Sequence, residues 1–272
     1  VGRGAVDRPP PCRGANVTAI LETRNLYRSF GALVAVDDVS LSIQEGTLHS
    51  IIGPNGAGKT TLFNLISGTL APTSGRVLHR GEDITDLPVH RIIHRGIGRS
   101  FQITNIFPNL TVFENVRLAC QALGGDNFSL FRSHRRFRSY LRRAADVLDQ
   151  MGLADRASMP AKTLPHGDQR RLELAMIVAA DPEVLLLDEP TAGMATEHVP
   201  ELIGLIRRLI DDGGRTIVLV EHNMSVVMAV SDRITVMHRG RILAEGSPAE
   251  IAADEQVQQA YLGGLYGLGG GA

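Results

Sequence analysis

The sequence predicts an α/β fold with a parallel sheet, antiparallel edge strands and an inserted helical lobe, and three observations carry that prediction. Val184 to Leu187 and Thr216 to Val220 are unbroken apolar runs bounded by turn or polar residues, the pattern of strands buried on both faces. Leu48 to Ile52 is a short run ending at a glycine-rich turn, after which Leu62, Leu65 and Ile66 recur at helical spacing. Between about Phe107 and Thr163 the strand pattern disappears and helical composition takes its place.

Val34 to Ile43 precedes these elements and reads as a strand through Val34, Val36, Val39, Leu41 and Ile43. Gly68 supplies a stop for the helix after the glycine-rich turn. Within the helical segment, Val112 to Leu123 and Tyr140 to Met151 are the two best helix candidates. Ile234 to His238 and Arg241 to Ala244, joined across Arg239 and Gly240, read as a hairpin at a sheet edge. The expected organisation is a disordered leader over 1–19, one domain over 20–262 with a helical lobe at about 103–180, and a Gly-rich flexible tail over 263–272.

An apolar content of 43% over 272 residues is enough for an ordinary core. A formal net charge of -1 leaves no basic field of the kind that holds nucleic acid, so no nucleic-acid partner is expected. Cys12 and Cys120 are the only cysteines, which argues against a disulfide framework and fits a reducing compartment. No stretch approaches the ~20 apolar residues of a membrane span, so any membrane crossing is expected to fall to another chain. Phe131 to Arg143 holds Arg132, Arg135, Arg136, Arg138, Arg142 and Arg143, read as a solvated helical face, with contact to anionic lipid headgroups as the sharper alternative.

The chemistry begins at Gly53, Pro54, Asn55, Gly56, Ala57, Gly58, Lys59 and Thr60, which match G-x-x-x-x-G-K-[ST] between a strand and a helix. Glycines let the backbone curl so that successive N–H groups point inward, and the following helix adds its positive end. Lys59 is expected to reach the β and γ phosphates of a nucleotide and Thr60 to place its hydroxyl on Mg²⁺, with Asn55 to Thr61 forming the cradle. The run Val184 to Glu189 then ends a buried strand in two adjacent carboxylates. Taken alone, such a pair is often a solvated turn; beside a phosphate loop, Asp188 is the candidate Mg²⁺ holder and Glu189 the candidate base for an attacking water.

Leu164, Pro165, His166, Gly167, Asp168, Gln169, Arg170 and Arg171, preceding Asp188, resemble the signature motif of ATP-binding cassette (ABC) proteins. With Gln102 after Ser100 and Phe101, and His222 after Val220 and Glu221, the order of motifs is similar to that of an ABC ATPase over roughly residues 20–262. Phe101 to Asn115, Gln169 to Ala175 and Asp232 to Leu262 look like the ATPase subunits of branched-chain amino-acid importers. The resemblance implies an ATPase using ATP and Mg²⁺ that energises uptake of such amino acids or similar small polar solutes. It implies a peripheral position on the cytoplasmic face of the inner membrane, beneath ABC transmembrane subunits fed by an extracytoplasmic solute-binding protein. It also implies head-to-tail pairing with a second ATPase subunit, identical or paralogous, each ATP lying between one chain's phosphate loop and the other's signature.

By the same resemblance Gln102 touches Mg²⁺ and the attacking water, His222 contacts the γ-phosphate and organises Glu189, Phe30 stacks on adenine with Tyr27 as its competitor, and Gly167 starts the helix aimed at the partner's ATP. Pro165 and Asp168 depart from the usual serine and glutamine, and Ala195 stands where the pattern usually has aspartate. Proline offers neither hydroxyl nor N–H, and Asp168 repels a nucleotide unless it points away. A lipopolysaccharide exporter ATPase and a soluble ABC ATPase acting on nucleic acid or ribosomes are the competing readings.

Overall fold

The computed structural model describes residues 19–100, 106–122 and 134–262. β1 (Ala19–Phe30) and β2 (Leu33–Gln44) run antiparallel, with Ala19 opposite Gln44 and Phe30 opposite Leu33. β3 (Leu48–Ile52) enters the glycine-rich loop and α1 (Lys59–Ile66) leaves it. β4 (Ser74–His79), β5 (Glu82–Asp83), α2 (Val89–His94) and β6 (Ile97–Arg99) follow. α3 (Val112–Ala122), α4 (His134–Gln150) and α5 (His166–Ala179) lie between β6 and β7 (Val184–Asp188). The chain continues through α6 (Val199–Asp211), β8 (Thr216–Val220), α7 (Met224–Val230), β9 (Arg233–His238), β10 (Arg241–Gly246) and α8 (Pro248–Ala253).

One sheet has six strands in the order β10-β9-β3-β8-β7-β6, all parallel except the edge strand β10. The β9–β10 turn needs two left-handed residues, supplied by Arg239 at φ 50° and Gly240 at φ 82°. Along β7 the side chains alternate between two cores. Leu185 and Leu187 join the cluster with Leu172 and Ala175 of α5 and Leu202 and Ile206 of α6. Val184 and Leu186 face Phe63 of α1 and Leu26, Val36 and Leu41 of the other sheet. Each such fully buried aliphatic stabilises the fold by ~1.5–3 kcal/mol, which is why the central strands read as unbroken apolar runs.

The other sheet, β2-β1-β4-β5, is wholly antiparallel, and sequence reading did not separate it from the parallel one. β1 hides its alternation behind Glu22, Arg24 and Arg28 and several register shifts against β2. Its ladder also starts at Ala19, one residue inside the expected leader, because pairing extends just beyond the first buried side chain, Ile20.

α4 starts six residues before the expected Tyr140 because its first turns are rich in arginine and carry no apolar periodicity. Its buried side is Ala144, Val147 and Leu148, continued by Met151. Arg138 and Arg142 are exposed, but Arg143 turns inward. Its Nε donates to the carbonyl of Ala179 at 2.8 Å and its Nη2 to that of Val178 at 3.3 Å, so a cation caps the C-terminal end of α5. Arg132 and the side chains of Arg135 and Arg136 lie outside the described residues.

Candidate nucleotide site

The glycine-rich loop is held tightly from behind. Gly58, the residue before α1, has φ 100°, and a Cβ there would stand 2.3 Å from the carbonyl oxygen of Ala35. A Cβ on Gly53 would stand 2.2 Å from the carbonyl oxygen of Met237, and Gly240 N donates to Ala57 O at 3.0 Å. β2, β9 and the β9–β10 turn therefore fix the loop's shape. Lys59 is buried and its Nζ donates to the carbonyls of Gly53 at 2.7 Å and Pro54 at 3.1 Å. Burial lowers its pKa, and the nearby charges of Glu189 and Asp188 push the other way. Asn55, Gly56 and Thr60 are exposed and Thr61 is half-buried. The first turn of α1 holds no acidic residue, so its positive N-terminal field is unopposed by its own side chains.

Asp188 ends β7 with its side chain buried. Its N–H donates to Ser100 Oγ at 3.0 Å, but neither carboxylate oxygen has a hydrogen-bond partner among the described residues. The nearest cation is Arg99, whose Nη2 stands 3.7 Å from Oδ2. Burial holds the Asp188 carboxyl above its ordinary range despite the opposing pull of Arg99. Arg99 is itself braced, its Nη1 donating to Asn64 Oδ1 and Ser67 Oγ at 2.7 Å each. Two orphaned, buried carboxylate oxygens fit a hard divalent cation that binds through oxygen, and such an ion would reverse the push on the carboxyl. Sequence reading gave no role to Arg99, the last residue of a three-residue strand, and named Ser100 only as the lead into Gln102.

Glu189 follows in the left-handed region at φ 48°, a costly conformation for a residue with a Cβ. Its N–H donates to Val220 O at 2.8 Å, extending the β7–β8 ladder in which Asp188 pairs with Val220. These neighbouring parallel strands thus bring Glu189 and His222 together at their C-terminal ends, where open α/β sheets place their ligands. His222 Nε2 hydrogen-bonds Glu189 Oε1. A carboxylate only accepts, so the imidazole donates. Lys59, Asp188, Glu189 and His222 form one electrostatic cluster. Gln102 lies outside the described residues.

Phe30 and Gly167 stand on other elements. Phe30 is exposed at the end of β1 with the Arg28 guanidinium 4.8 Å above its ring, while Tyr27 is half-buried. Pro165 immediately precedes α5, and Gly167 lies in its first turn. A Cβ at Gly167 would meet only ordinary contacts, the nearest being Met194 Cε at 3.7 Å. The Asp168 side chain points inward: it is buried, paired with Arg156 and lies 3.7 Å from Arg171, which in turn pairs with Glu201 of α6. Ala195 ends the loop that follows Glu189 and is exposed.

Residues 36–192 match the ABC transporter family, and residues 241–265 match the branched-chain amino acid ATP-binding cassette transporter family. The chain belongs to the ABC transporter ATP-binding family. The cassette is 40% identical to the high-affinity branched-chain amino acid transport ATP-binding protein BraF of Pseudomonas aeruginosa, covering 90% of this chain and 98% of the relative. It is 43% identical to LivG of Escherichia coli, of the same description and coverage. It is 33% identical to the lipopolysaccharide export system ATP-binding protein LptB of Escherichia coli, again over 90% and 98% of the two chains. Among solved structures it is similar to the ADP conformation of the cassette MJ1267, with TM-score 0.78 and 29% identity over 90% and 99% of the chains. It is also similar to dimeric MJ0796 with ADP and Pi, with TM-score 0.71 and 28% identity over 84% and 98%. The cassette is an ATP-hydrolysing subunit of an ABC transporter. Among its described residues no helix is long and apolar enough to cross a membrane.

Proposed function

We propose that this cassette energises the uptake of branched-chain amino acids, working in a head-to-tail pair beneath transmembrane subunits on the cytoplasmic face of the inner membrane and served by an extracytoplasmic solute-binding protein. The observation that carries the catalytic part is the Glu189–His222 hydrogen bond beside buried Asp188 and Lys59. The relatives BraF and LivG and the match at residues 241–265 support the choice of solute.

In this reading Asn55 to Thr61 cradle the ATP phosphates with backbone N–H groups and the start of α1, and Lys59 releases its two loop carbonyls to contact the β and γ phosphates. Asp188, Thr60 and Gln102 hold Mg²⁺, which when bound neutralises phosphate charge. Glu189 polarises the attacking water and accepts its proton, while His222 orients Glu189 and contacts the γ-phosphate. Phe30 stacks on adenine. Gly167 is free of internal steric demand, yet glycine in a helix costs ~1 kcal/mol against alanine. A close approach from outside the chain, by the ATP held on a partner cassette, accounts for it.

Lipopolysaccharide export is the second reading, favoured by the similarity to LptB. The test is to introduce Glu189→Gln in the cell that carries the cassette and follow uptake of labelled leucine. Loss of uptake with intact lipopolysaccharide export supports the proposal. Normal uptake with failing export replaces it with the second reading.

A further inference from the structure

The segment carrying His222 contains another buried acid, which no motif singled out. Glu221 is 3% exposed. Its Oε1 accepts from both Thr191 N at 3.0 Å and Thr191 Oγ1 at 2.6 Å, and its Oε2 accepts from His222 N at 3.1 Å. Among the described residues no cationic side chain pairs with it within ion-pair distance. The charge is therefore spent on backbone and hydroxyl donors of two loops, one leaving Glu189 and the other bearing His222. Such charge-assisted bonds are stronger and more directional than neutral ones.

The loops need that restraint. Glu189 sits at φ 48° with its N–H on Val220 O at 2.8 Å and its carbonyl accepting Ala192 N at 3.0 Å. Val220 is immediately before Glu221, and Thr191 is two residues beyond Glu189. The Glu221 carboxylate thus closes a small frame whose remaining side is the Glu189–His222 hydrogen bond.

We propose that Glu221 is a positioning residue for ATP hydrolysis, clamping the loop after Glu189 to the backbone of His222 so that the Glu189–His222 pair is held in register. This rests on the roles proposed above for Glu189 and His222. It acts only through Thr191 and His222. Replacing it with glutamine keeps the size but gives one arm an NH₂ group, which must oppose an N–H or O–H donor of the frame.

The test uses the full chain with ATP and Mg²⁺, measuring kcat, KM for ATP and Tm for Glu221→Gln and Thr191→Val, each alone and combined with His222→Ala. Single turnover at high enzyme concentration resolves the slow variants. Glu221→Gln is expected to lower kcat by about 10-fold or more, the scale of a small misplacement at a reacting centre, with KM close to the parent and Tm lowered by a few degrees through the opposed buried donors. Thr191→Val removes only the hydroxyl arm and is expected to lose less. In the His222→Ala background neither change is expected to lower the rate further, because what both hold in register is the Glu189–His222 pair, which that variant no longer has. An unchanged kcat in Glu221→Gln overturns the proposal, as does a loss that multiplies with that of His222→Ala. If Glu221→Gln fails to fold, Thr191→Val alone decides by the same background comparison. A His222→Ala chain that hydrolyses ATP at the parent rate instead refutes the role given to His222.

Discussion

Two helices of this chain carry at their starts a glycine that we propose faces a phosphate, and they are built on opposite principles. Gly58 before α1 is dictated from within: its φ of 100° and the carbonyl of Ala35 leave no room for a side chain. Gly167 in α5 has helical geometry and space for a Cβ. The first glycine belongs to a cluster whose members touch one another: Lys59 on its loop carbonyls, Arg99 near Asp188, His222 on Glu189. The second stands on an exposed helix start whose one acid, Asp168, is turned inward. The first cluster is assembled within the chain; the second is a surface for which we propose a second cassette as the partner.

The largest break in that comparison is Glu189→Gln, which removes the proposed acceptor for the water's proton. Hydrolysis is expected to fall by about 10²–10⁴-fold with ATP still bound, read by a phosphate-release assay beside nucleotide binding. Next comes a matched pair. Gly58→Ala is expected to destabilise the fold by ~2–4 kcal/mol in urea unfolding, through strain and a backbone clash. Gly167→Ala is expected to leave stability unchanged or raise it by ~0.5–1 kcal/mol, while lowering turnover of the assembled transporter.

Asp168→Asn sharpens the same contrast. It breaks a mostly buried pair with partly exposed Arg156, so a loss of ~1–2 kcal/mol is expected in urea unfolding. Weaker nucleotide affinity without a stability loss would return Asp168 to the nucleotide face.

The smallest effect on stability concerns Asp188. Burial raises its carboxyl pKa in the folded chain, so the folded state takes up the proton more readily than the unfolded one. Stability from this group is present at low pH and is lost as pH rises through the folded pKa. Asp188→Asn is therefore expected to raise the Tm of metal-free, nucleotide-free protein at neutral pH, with the gain fading toward pH ~4, near the unfolded pKa of aspartate. It should abolish Mg²⁺-dependent hydrolysis in the same preparation.

Lys59 at the start of α1, and Asp188, Glu189 and His222 at or just after strand ends, could be named from the sequence because each stands beside a local spacing rule or a motif. Arg99 and Glu221 could not, since their partners lie far along the chain, 30 residues away for Thr191 and Glu221, and only strand pairing makes them neighbours. The parallel strands announced themselves because both faces are buried. β1 did not, because charged residues and register shifts interrupt its alternation. α6 had a readable stripe in Leu202, Leu205, Ile206, Leu209 and Ile210, and motif reading passed over it. Asp168 shows a different limit: its residue type warned of repulsion, but its direction depends on Arg156 and Arg171.

The most direct test of the division between the two helix starts is a photoreactive phenylalanine analogue in place of exposed His166, next to Gly167. The cassette, also carrying Glu189→Gln, is irradiated in native membranes with and without ATP, and the crosslinks are mapped by mass spectrometry. The account predicts an ATP-dependent crosslink to the phosphate-loop region of a second cassette, identical or paralogous. Crosslinks confined to the same chain, or to membrane subunits alone with no dependence on ATP, would contradict it.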